Sequence, residues 1–566
     1  MRWLVMASLW ESWIPPTPPT NEKIVYKMLA DTNGKLYVPT AWYYYDAETQ
    51  NCPFDWDVSI DWTLINNYSG TWIALWMIEF TGYASGTEHE ITITPHWTAT
   101  YLWARAYWRY GLSSLSSNLT EIVYDWSYMW YWVSATDTWG YFRERQYSWC
   151  ANITSIPEEV LPDTINTIWP CFRREQYDGC SSITNVVPEV LPTWVTTIED
   201  RFRGSIYQYC TSLTTPTAEV LPNSVTTITT RFRAYQYRWC TNLTTTAAEV
   251  MSSNVTTIWD YFRHYQYQGC TSLTTTATEV MPNNVTSIGT IFRGYQYQRC
   301  TGLITVAAEV MSNRVTTIDT NFRDHQYQGC INLTTAATEA MSNSVTTIGN
   351  AFRTYQYQGC SSLTTAAAEV LPNSVTSIGN AFRSYLYNEC TSLTTAATEA
   401  MSNSVTTIGN NFRQQQYNGC TNLTTAAVEV MPNSVATIGD AFRSQQYRKC
   451  TSLTTAAVEA LPDSVTSIGS SFRTNQYRWC TSLYQIPWWK DLSYGWGSYR
   501  AQQFSSTASN KIITVIGDVW YNSVNSTGIV DSGVSTVYVE NSYLSNYINT
   551  SNYPRANITD SKFVGY

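Results

Sequence analysis

The sequence predicts an α/β fold: a leucine-rich-repeat-like solenoid of about 11–12 thirty-residue coils, with an N-terminal β-sandwich-like domain and a C-terminal cap. Three observations carry this. Cysteine recurs at every thirtieth residue from Cys150 to Cys480, without insertion or deletion. Leu, Val, Ile and Phe recur at constant offsets from it, as Leu363, Val375, Ile378 and Phe382 do from Cys360. The stretches on either side break the period. A fixed period of this length means that each coil buries its apolar face only against its neighbours, so the core grows along one axis.

Taken in order, residues 1–20 read as a flexible lead that includes the run Pro15-Pro16-Thr17-Pro18-Pro19. Residues 21–100 read as a β-rich domain. Ile24 to Tyr26 and Lys35 to Val38 flank the turn Asn33-Gly34. Val58, Ile60 and Trp62 alternate with Asp57, Ser59 and Asp61, and Glu90 to Thr94 alternate until Pro95 stops them. Alternation of this kind suits strands with one face buried. Residues 101–141 are assigned as an N-terminal cap, with Leu119, Ile122 and Val123 as an imperfect first coil.

Residues 142–480 form the repeat solenoid. In one coil, Val375 to Ile378 is strand-like because its β-branched residues suit an extended chain. Gly379 permits a tight turn. Phe382, Leu386 and Cys390 fall at i, i+4 and i+8, which predicts a short helix. Leu393 to Thr395 is a second extended piece. Ala366 to Leu371 are good helix formers that stop at Pro372. At about 4.8 Å between neighbouring strands, the stack is on the order of 55 Å long. Residues 481–566 are read as the C-terminal cap, with strands at Ile512 to Ile516 and Val534 to Val539, a turn at Val530 to Gly533 and a short helix at Asn541 to Tyr547.

Composition excludes several classes. The net charge is −10 and only 13% of residues are charged, so a basic face for nucleic acid is absent. No apolar run reaches the eighteen or so residues of a membrane-spanning helix. The apolar run Trp3 to Met6 is short for a secretory leader and lacks a clear cleavage site. Twelve of the fourteen cysteines belong to the ladder, so their number follows the coil count. They read first as buried reduced thiols. In-register parallel side chains suit a disulfide dihedral poorly. A metal column would need ligand pairs, and the chain holds only four histidines and no Cys-x-x-Cys. No cofactor is expected. No Ser/His/Asp set, phosphate loop or singular carboxylate pair stands apart from the repeat, so no enzyme activity is expected.

The unit resembles the BspA-like leucine-rich repeats of bacterial surface proteins. Cys360, Leu363, Pro372, Asn373, Ser374, Val375, Ile378, Gly379 and Phe382 carry the match, in a coil lengthened between Leu and Pro and again between Phe and Cys. The run Val537 to Tyr547 is similar to that family's terminal tail, with Glu540 where proline is common. Val58 to Trp62 faintly resembles the opening of a PKD-like β-sandwich, without the Gly-Asp-Gly that should follow. The resemblance implies an extracellular or surface-displayed protein that adheres to a protein or glycan on another cell or host surface. A structural spacer presenting the N-terminal domain is the alternative.

Four ladders accompany the cysteine: Arg143 to Arg473, Tyr147 to Tyr477, a glutamine before that tyrosine in ten of twelve coils, and Glu159 to Glu459. Glu and Arg columns side by side offset each other's like-charge repulsion, and a network contributes more than isolated exposed pairs. The position two residues before each ladder tyrosine varies, so packing does not dictate it. It holds Tyr235, Tyr265, Tyr295, Tyr355 and Tyr385, with His325 and Gln415 elsewhere. Together with Gln236, Gln266, Gln296 and Gln356, these tyrosines form the candidate ligand-binding row, by aromatic stacking and amide hydrogen bonds. The opposing reading is a set of partly buried tyrosines that cover the coil. Recurrent Thr-Thr doublets read as ordinary strand surface.

Before the ladder cysteine, glycine stands in five coils and Trp149, Trp239 and Trp479 in three; after the coil's Ile, glycine stands in six, with Trp169 and Trp259 in two others. Gly and Trp are a poor physical exchange. The pattern is accounted for if some codons read here as tryptophan are decoded as glycine in the source organism. Mass spectra of peptides from native-host protein are then expected to carry glycine at these positions; tryptophan there refutes the idea.

Overall fold

The computed structural model describes residues 24–39, 56–64, 71–74, 77–95, 119–125, 143–156, 165–186, 512–516 and 536–539. It also describes 191–487 apart from 218, 248, 279–280, 338, 368, 398, 428, 458, 461, 463 and 484. The repeat forms a parallel β-solenoid. Its widest surface is an eleven-stranded parallel sheet of two-residue strands running from Thr167–Ile168 to Ser467–Ile468. Register is in step with the sequence period: Ser377 pairs with Thr347 and Thr407, and Ile378 with Ile348 and Ile408. A second row of parallel bridges joins equivalent threonines, such as Thr335 to Thr365 and Thr365 to Thr395. A third is built from short strands such as Glu369–Val370 and Glu399–Ala400.

Among the described residues there is no α-helix, which corrects the α/β class and both helical assignments. The segment expected to be helical from Ala366 to Leu371 instead contains the Glu369–Val370 strand. The segment from Ala381 to Cys390 is a run of tight turns in which every second residue except Tyr387 is left-handed: Ala381, Arg383, Tyr385 and Glu389 have φ of 56, 53, 58 and 63°. This alternation sends N–H groups out of the coil. Ala381, Tyr385, Tyr387 and Glu389 donate to carbonyls of Asn410, Gln414, Gln416 and Asn418 in the next coil at 2.7–2.8 Å, and Arg383 donates back to Phe352. A helix would close those bonds within the coil and leave the stack without them. Left-handed geometry costs about 1–2 kcal/mol per non-glycine residue, and each inter-coil bond returns about 1 kcal/mol.

Two apolar columns fill the interior. One stacks the ladder tyrosines, cysteines and leucines, and the other stacks Val, Ile and Phe. Successive Phe rings lie 5.2–5.5 Å apart, from Phe172 to Phe472. The ladder arginines are buried and most lie over these rings, as Arg383 lies 4.7 Å from the centroid of Phe382; Arg203 lies over Tyr207 instead. They are therefore an interior row and not a surface strip. The glutamate side chains expected beside them lie outside the described residues. Every described cysteine is a free buried thiol. Each ladder Sγ from Cys180 onward donates to the ladder tyrosine carbonyl thirty-three residues earlier, as Cys360 does to Tyr327 at 3.2 Å. Burial pushes the Cys360 thiol up to about 12, which leaves it protonated and unreactive at neutral pH.

The N-terminal region holds two antiparallel sheets. The larger has the order β4-β3-β7-β1-β8, with β1 at Ile24–Leu29, β3 at Trp56–Ile60, β4 at Thr63–Leu64, β7 at Glu88–Pro95 and β8 at Leu119–Asp125. The smaller has the order β2-β6-β5, with β2 at Lys35–Pro39, β5 at Thr71–Ala74 and β6 at Met77–Thr81. Tyr26, Met28, Ile60 and Ile91 from the first meet Leu36 and Phe80 from the second in one core, a sandwich-like arrangement. Two expectations change here. Leu119 to Val123 belong to β8, paired antiparallel with β1, and are not a first coil. Trp62 is not in a strand but sits left-handed in the turn between β3 and β4. At the other end, Gln485–Pro487, Ile512–Ile516 and Thr536–Val539 form a three-stranded parallel sheet. The lead, the turn at 530–533 and the helix at 541–547 lie outside the described residues.

The Gly/Trp position before each cysteine has a physical explanation here. It is left-handed in all twelve coils, with φ of +74° at Gly179, +75° at Gly269, +65° at Trp149 and Trp479 and +62° at Trp239. Glycine takes this conformation without the Cβ penalty. A glycine is also what lies beneath a tryptophan: a Cβ on Gly269 would run into the Trp239 ring. Exposed Arg299, at φ +60°, occupies the same position. Arg299→Gly is expected to stabilise the fold by about 1 kcal/mol, read as a rise in the thermal midpoint; a fall would contradict the left-handed assignment.

Candidate functional site

The left-handed residue two before each ladder tyrosine turns its side chain away from the two cores. Tyr235, Tyr265, Tyr295, His325, Tyr355 and Tyr385 there form one continuous stack. Successive ring centroids are 5.0, 4.6, 4.4, 4.4 and 4.5 Å apart, with interplanar angles of 8–25°. All six are half-buried. The sequence-predicted tyrosines are thus brought together, with His325 as a member of the row.

The predicted glutamines are not beside them. Gln236, Gln266, Gln296 and Gln356 are 0% exposed and form an interior amide ladder, so they are removed from the site. Gln266 donates to Gln236 at 3.0 Å, Gln296 to Gln266 at 3.1 Å and Gln356 to Gln326 at 3.0 Å. An interior amide is stable only when partnered, and in-register stacking supplies a partner in each coil. The physical reason is that the turn run returns on a four-residue step: Phe382 and Arg383 face the interior and so do Leu386 and Tyr387, so the glutamine before each ladder tyrosine shares that tyrosine's inward side.

A different glutamine row accompanies the aromatic stack. Gln268 donates to Gln298, Gln298 to Gln328 at 2.5 Å and Gln328 to Gln358 at 2.6 Å; Gln268 is buried and the other three are half-buried. These residues lie three after the stacked tyrosines. Their recurrence two before the cysteine is the signal the sequence carries for them. Arg238 closes the N-terminal side: its guanidinium lies 5.5 and 5.4 Å from the Tyr235 and Tyr265 rings and donates to Gln268. On the C-terminal side, Gln415 donates to the Tyr385 hydroxyl at 3.0 Å, and Asn418 to Asn388 at 2.8 Å.

Polar groups sit directly behind the stack. Buried His264 meets Tyr235, Tyr265 and Tyr295 edge-on and places Nδ1 3.0 Å from the Gly294 carbonyl oxygen. Burial pushes its pKa down to about 4, so the ring is neutral at physiological pH. His325 Nδ1 lies 2.8 Å from Asp324 Oδ1, out of line for a good hydrogen bond. Burial raises the Asp324 carboxyl, and His325 opposes that shift. Toward the first coils the row becomes ionic. Arg174 pairs with Glu144 at 2.9 Å and with Glu175 at 2.5 Å, and Arg145 pairs with Glu175.

The threonine rows are consumed by the fold. Thr364 and Thr376 donate their hydroxyls to the carbonyls of Thr334 and Thr346, thirty residues earlier, and the pattern recurs along the stack. One constellation was not legible in the sequence. His89 lies 2.6 Å from Asp61 through Nδ1 and 2.6 Å from Thr87 Oγ1 through Nε2. Pairing of β3 with β7 brings Asp61 to within reach of His89. The Thr87 hydroxyl donates to the Ala84 carbonyl at 2.6 Å, so its proton is committed to the turn and the set reads as a structural lock. Among the described residues, no group of three or more His, Cys, Asp or Glu side chains is arranged to hold a metal ion, and no helix is long and apolar enough to cross a membrane.

No family model, curated protein or solved structure matches this chain.

Asp178 occupies the position equivalent to the outer glutamines and gives a pH test of this face. Burial, reinforced by Glu175 and opposed by Arg145, pushes its carboxyl up to about 7. A raised carboxyl contributes stability that is complete below its ordinary value and lost as pH rises through the folded value. Asp178→Asn is therefore expected to be more stable than the parent at pH 8, by on the order of 2 kcal/mol after discounting for partial exposure. The gain should vanish near pH 4, as followed by thermal melts across that range.

Proposed function

We propose that this chain is a non-enzymatic binding or adhesion scaffold, surface-displayed or secreted, of the BspA-like leucine-rich-repeat kind, which engages a protein or glycan along the solenoid. The observation that supports the reading is the aromatic and amide face from Tyr235 to Tyr385. Most interior positions of the coil repeat their residue types because neighbouring coils require them. At this position six consecutive coils hold an aromatic ring, whereas the flanking coils hold Ser205, Glu175, Gln415 and Gln445 without change of fold. A patch that packing does not demand, half-buried and rich in tyrosine, has the composition of a recognition surface.

One observation favours a structural spacer instead. The rings of the row spend their faces on one another, so the stack has a purpose without a ligand. The two readings separate in glycan and protein arrays probed with the full chain. Changing Tyr265, Tyr295 and Tyr355 together to alanine is expected to abolish binding, with a loss of at least tenfold in affinity. Binding that survives these changes in a folded variant favours the spacer.

A further inference from the structure

We infer that Asn242, Asn332 and Asn422 carry N-linked oligosaccharides, set in a row along one edge of the solenoid. The inference rests on the surface-displayed or secreted part of the reading above and not on its ligand face.

Each of the three lies two residues after a ladder cysteine and opens an Asn-Leu-Thr triplet, the acceptor pattern for N-glycosylation. Such triplets arise readily in a threonine-rich repeat, and the structure sorts them into two kinds. In Asn254-Val255-Thr256 and Asn284-Val285-Thr286 the nitrogen that would take the sugar is already committed. Asn254 Nδ2 donates to the Asn223 carbonyl at 2.7 Å, and Asn284 Nδ2 to the Ser253 carbonyl at 2.8 Å. The side-chain amides of Asn242, Asn332 and Asn422 have no hydrogen-bond partner among the described residues.

Local geometry presents these amides to solvent. Leu243, Leu333 and Leu423 are buried, and each closes a tight turn by donating its N–H to the ladder cysteine carbonyl at 3.1–3.2 Å. The asparagine before each leucine is exposed, whereas the serine or glycine at this position in other coils is half-buried. The main chain stands off as well. Ser212, Ser272, Ser362, Ser392 and Ser452 donate their N–H to the preceding coil at 3.1 Å. Asn422 does so at 3.3 Å, and Asn242 and Asn332 make no such bond among the described residues. None of the three asparagines has a positive φ, so the backbone does not call for asparagine here.

The spacing is regular. The three stand ninety residues apart, and Asn152 lies one such step earlier, so asparagine fills this position in every third coil and in no other. A residue that served the stack would recur in adjacent coils and bond to itself, as the interior glutamines do. Three coils separate the asparagines by about 14 Å, three strand spacings. At that distance they do not touch, and each has room for a bulky substituent. A copied three-coil block does not account for the step, since the residues seven upstream are Arg145, Tyr235, His325 and Gln415. The edge also carries apolar surface that a sugar would cover. Ile331, 45% exposed, precedes Asn332, and Ile304, 46% exposed, accepts the Thr334 N–H at its carbonyl at 3.1 Å.

In the transfer, asparagine Nδ2 bonds to the anomeric carbon of a lipid-diphosphate-linked oligosaccharide. The anomeric C–O bond breaks, the lipid diphosphate leaves with that electron pair, and the amide gives up one proton.

The experiment is tandem mass spectrometry of glycopeptides from the full chain purified from its native host, alongside the triple variant Asn242→Ser, Asn332→Ser, Asn422→Ser made in the same host. Serine stands at this position in seven other coils, so the variant should melt at the parent midpoint. Oligosaccharide mass is expected on Asn242, Asn332 and Asn422 and not on Asn254 or Asn284, and the triple variant should be lighter by three glycans. Any of the three sites found only unmodified, or sugar on Asn254 or Asn284, overturns the inference. Surface labelling of intact cells separates that failure from failure of the reading it rests on. An unmodified chain that is labelled or secreted keeps the scaffold reading, and one confined to the cytoplasm removes its surface placement too.

Discussion

The interaction on which the rest depends is the in-register hydrogen bond between one coil and the next. Every coil donates and accepts at the same places, in the Thr-Ile sheet, at the threonine bridges and through the left-handed turn run. Once those bonds set the register, identical residues are forced into contact at close to the strand spacing, and each column must be made of residues that tolerate themselves as neighbours. Phenylalanine and tyrosine stack, glutamine passes one amide hydrogen bond to the next, and cysteine is small enough to repeat and donates to a carbonyl. The strictness of the thirty-residue step follows, since one inserted residue would break every column at once.

The same constraint explains how the arginine row is housed. A column of buried guanidinium groups would be costly in a globular core. Here most of the guanidinium groups lie close to the ring of the preceding phenylalanine, as at Arg293, Arg383 and Arg443, and that ring is held in its own stack, while Arg203 lies over Tyr207 instead. The face of the solenoid that escapes this logic is the one where residue types change between coils. There the fold asks only for a left-handed backbone, and the side chains are available for other uses.

Much of the architecture was legible in the chain. The period, the solenoid, the inward Val, Ile, Phe, Leu and Cys, the threonine bridge near Thr395 and the N-terminal strands Ile24–Leu29, Lys35–Pro39, Trp56–Ile60 and Glu88–Pro95 follow from spacing and alternation, whereas Thr71–Ala74, Met77–Thr81 and Leu119–Asp125 do not. The helices did not follow. Phe382, Leu386 and Cys390 have helical spacing, yet the turn run also returns every fourth residue to the same side, so the pattern does not distinguish the two. That ambiguity also misplaced the glutamines: Gln266 was read as an outward companion of Tyr265, whereas the turn run places it in the core beside Tyr267, and the amides that accompany the aromatic row are those of Gln268 and its equivalents.

By itself, the sequence determined that the protein is a one-dimensional stack, which apolar residues face its interior, and where the coils are free to differ, because those properties follow from a repeat distance and a list of tolerated residues. Only the tertiary structure decided how each coil closes, that the rings of the tyrosine row lie face to face, and which amides are spent on one another. These depend on whether an N–H points within its coil or across to the next. That direction is set by the sign of φ at Arg383 and its equivalents, which no side-chain pattern encodes.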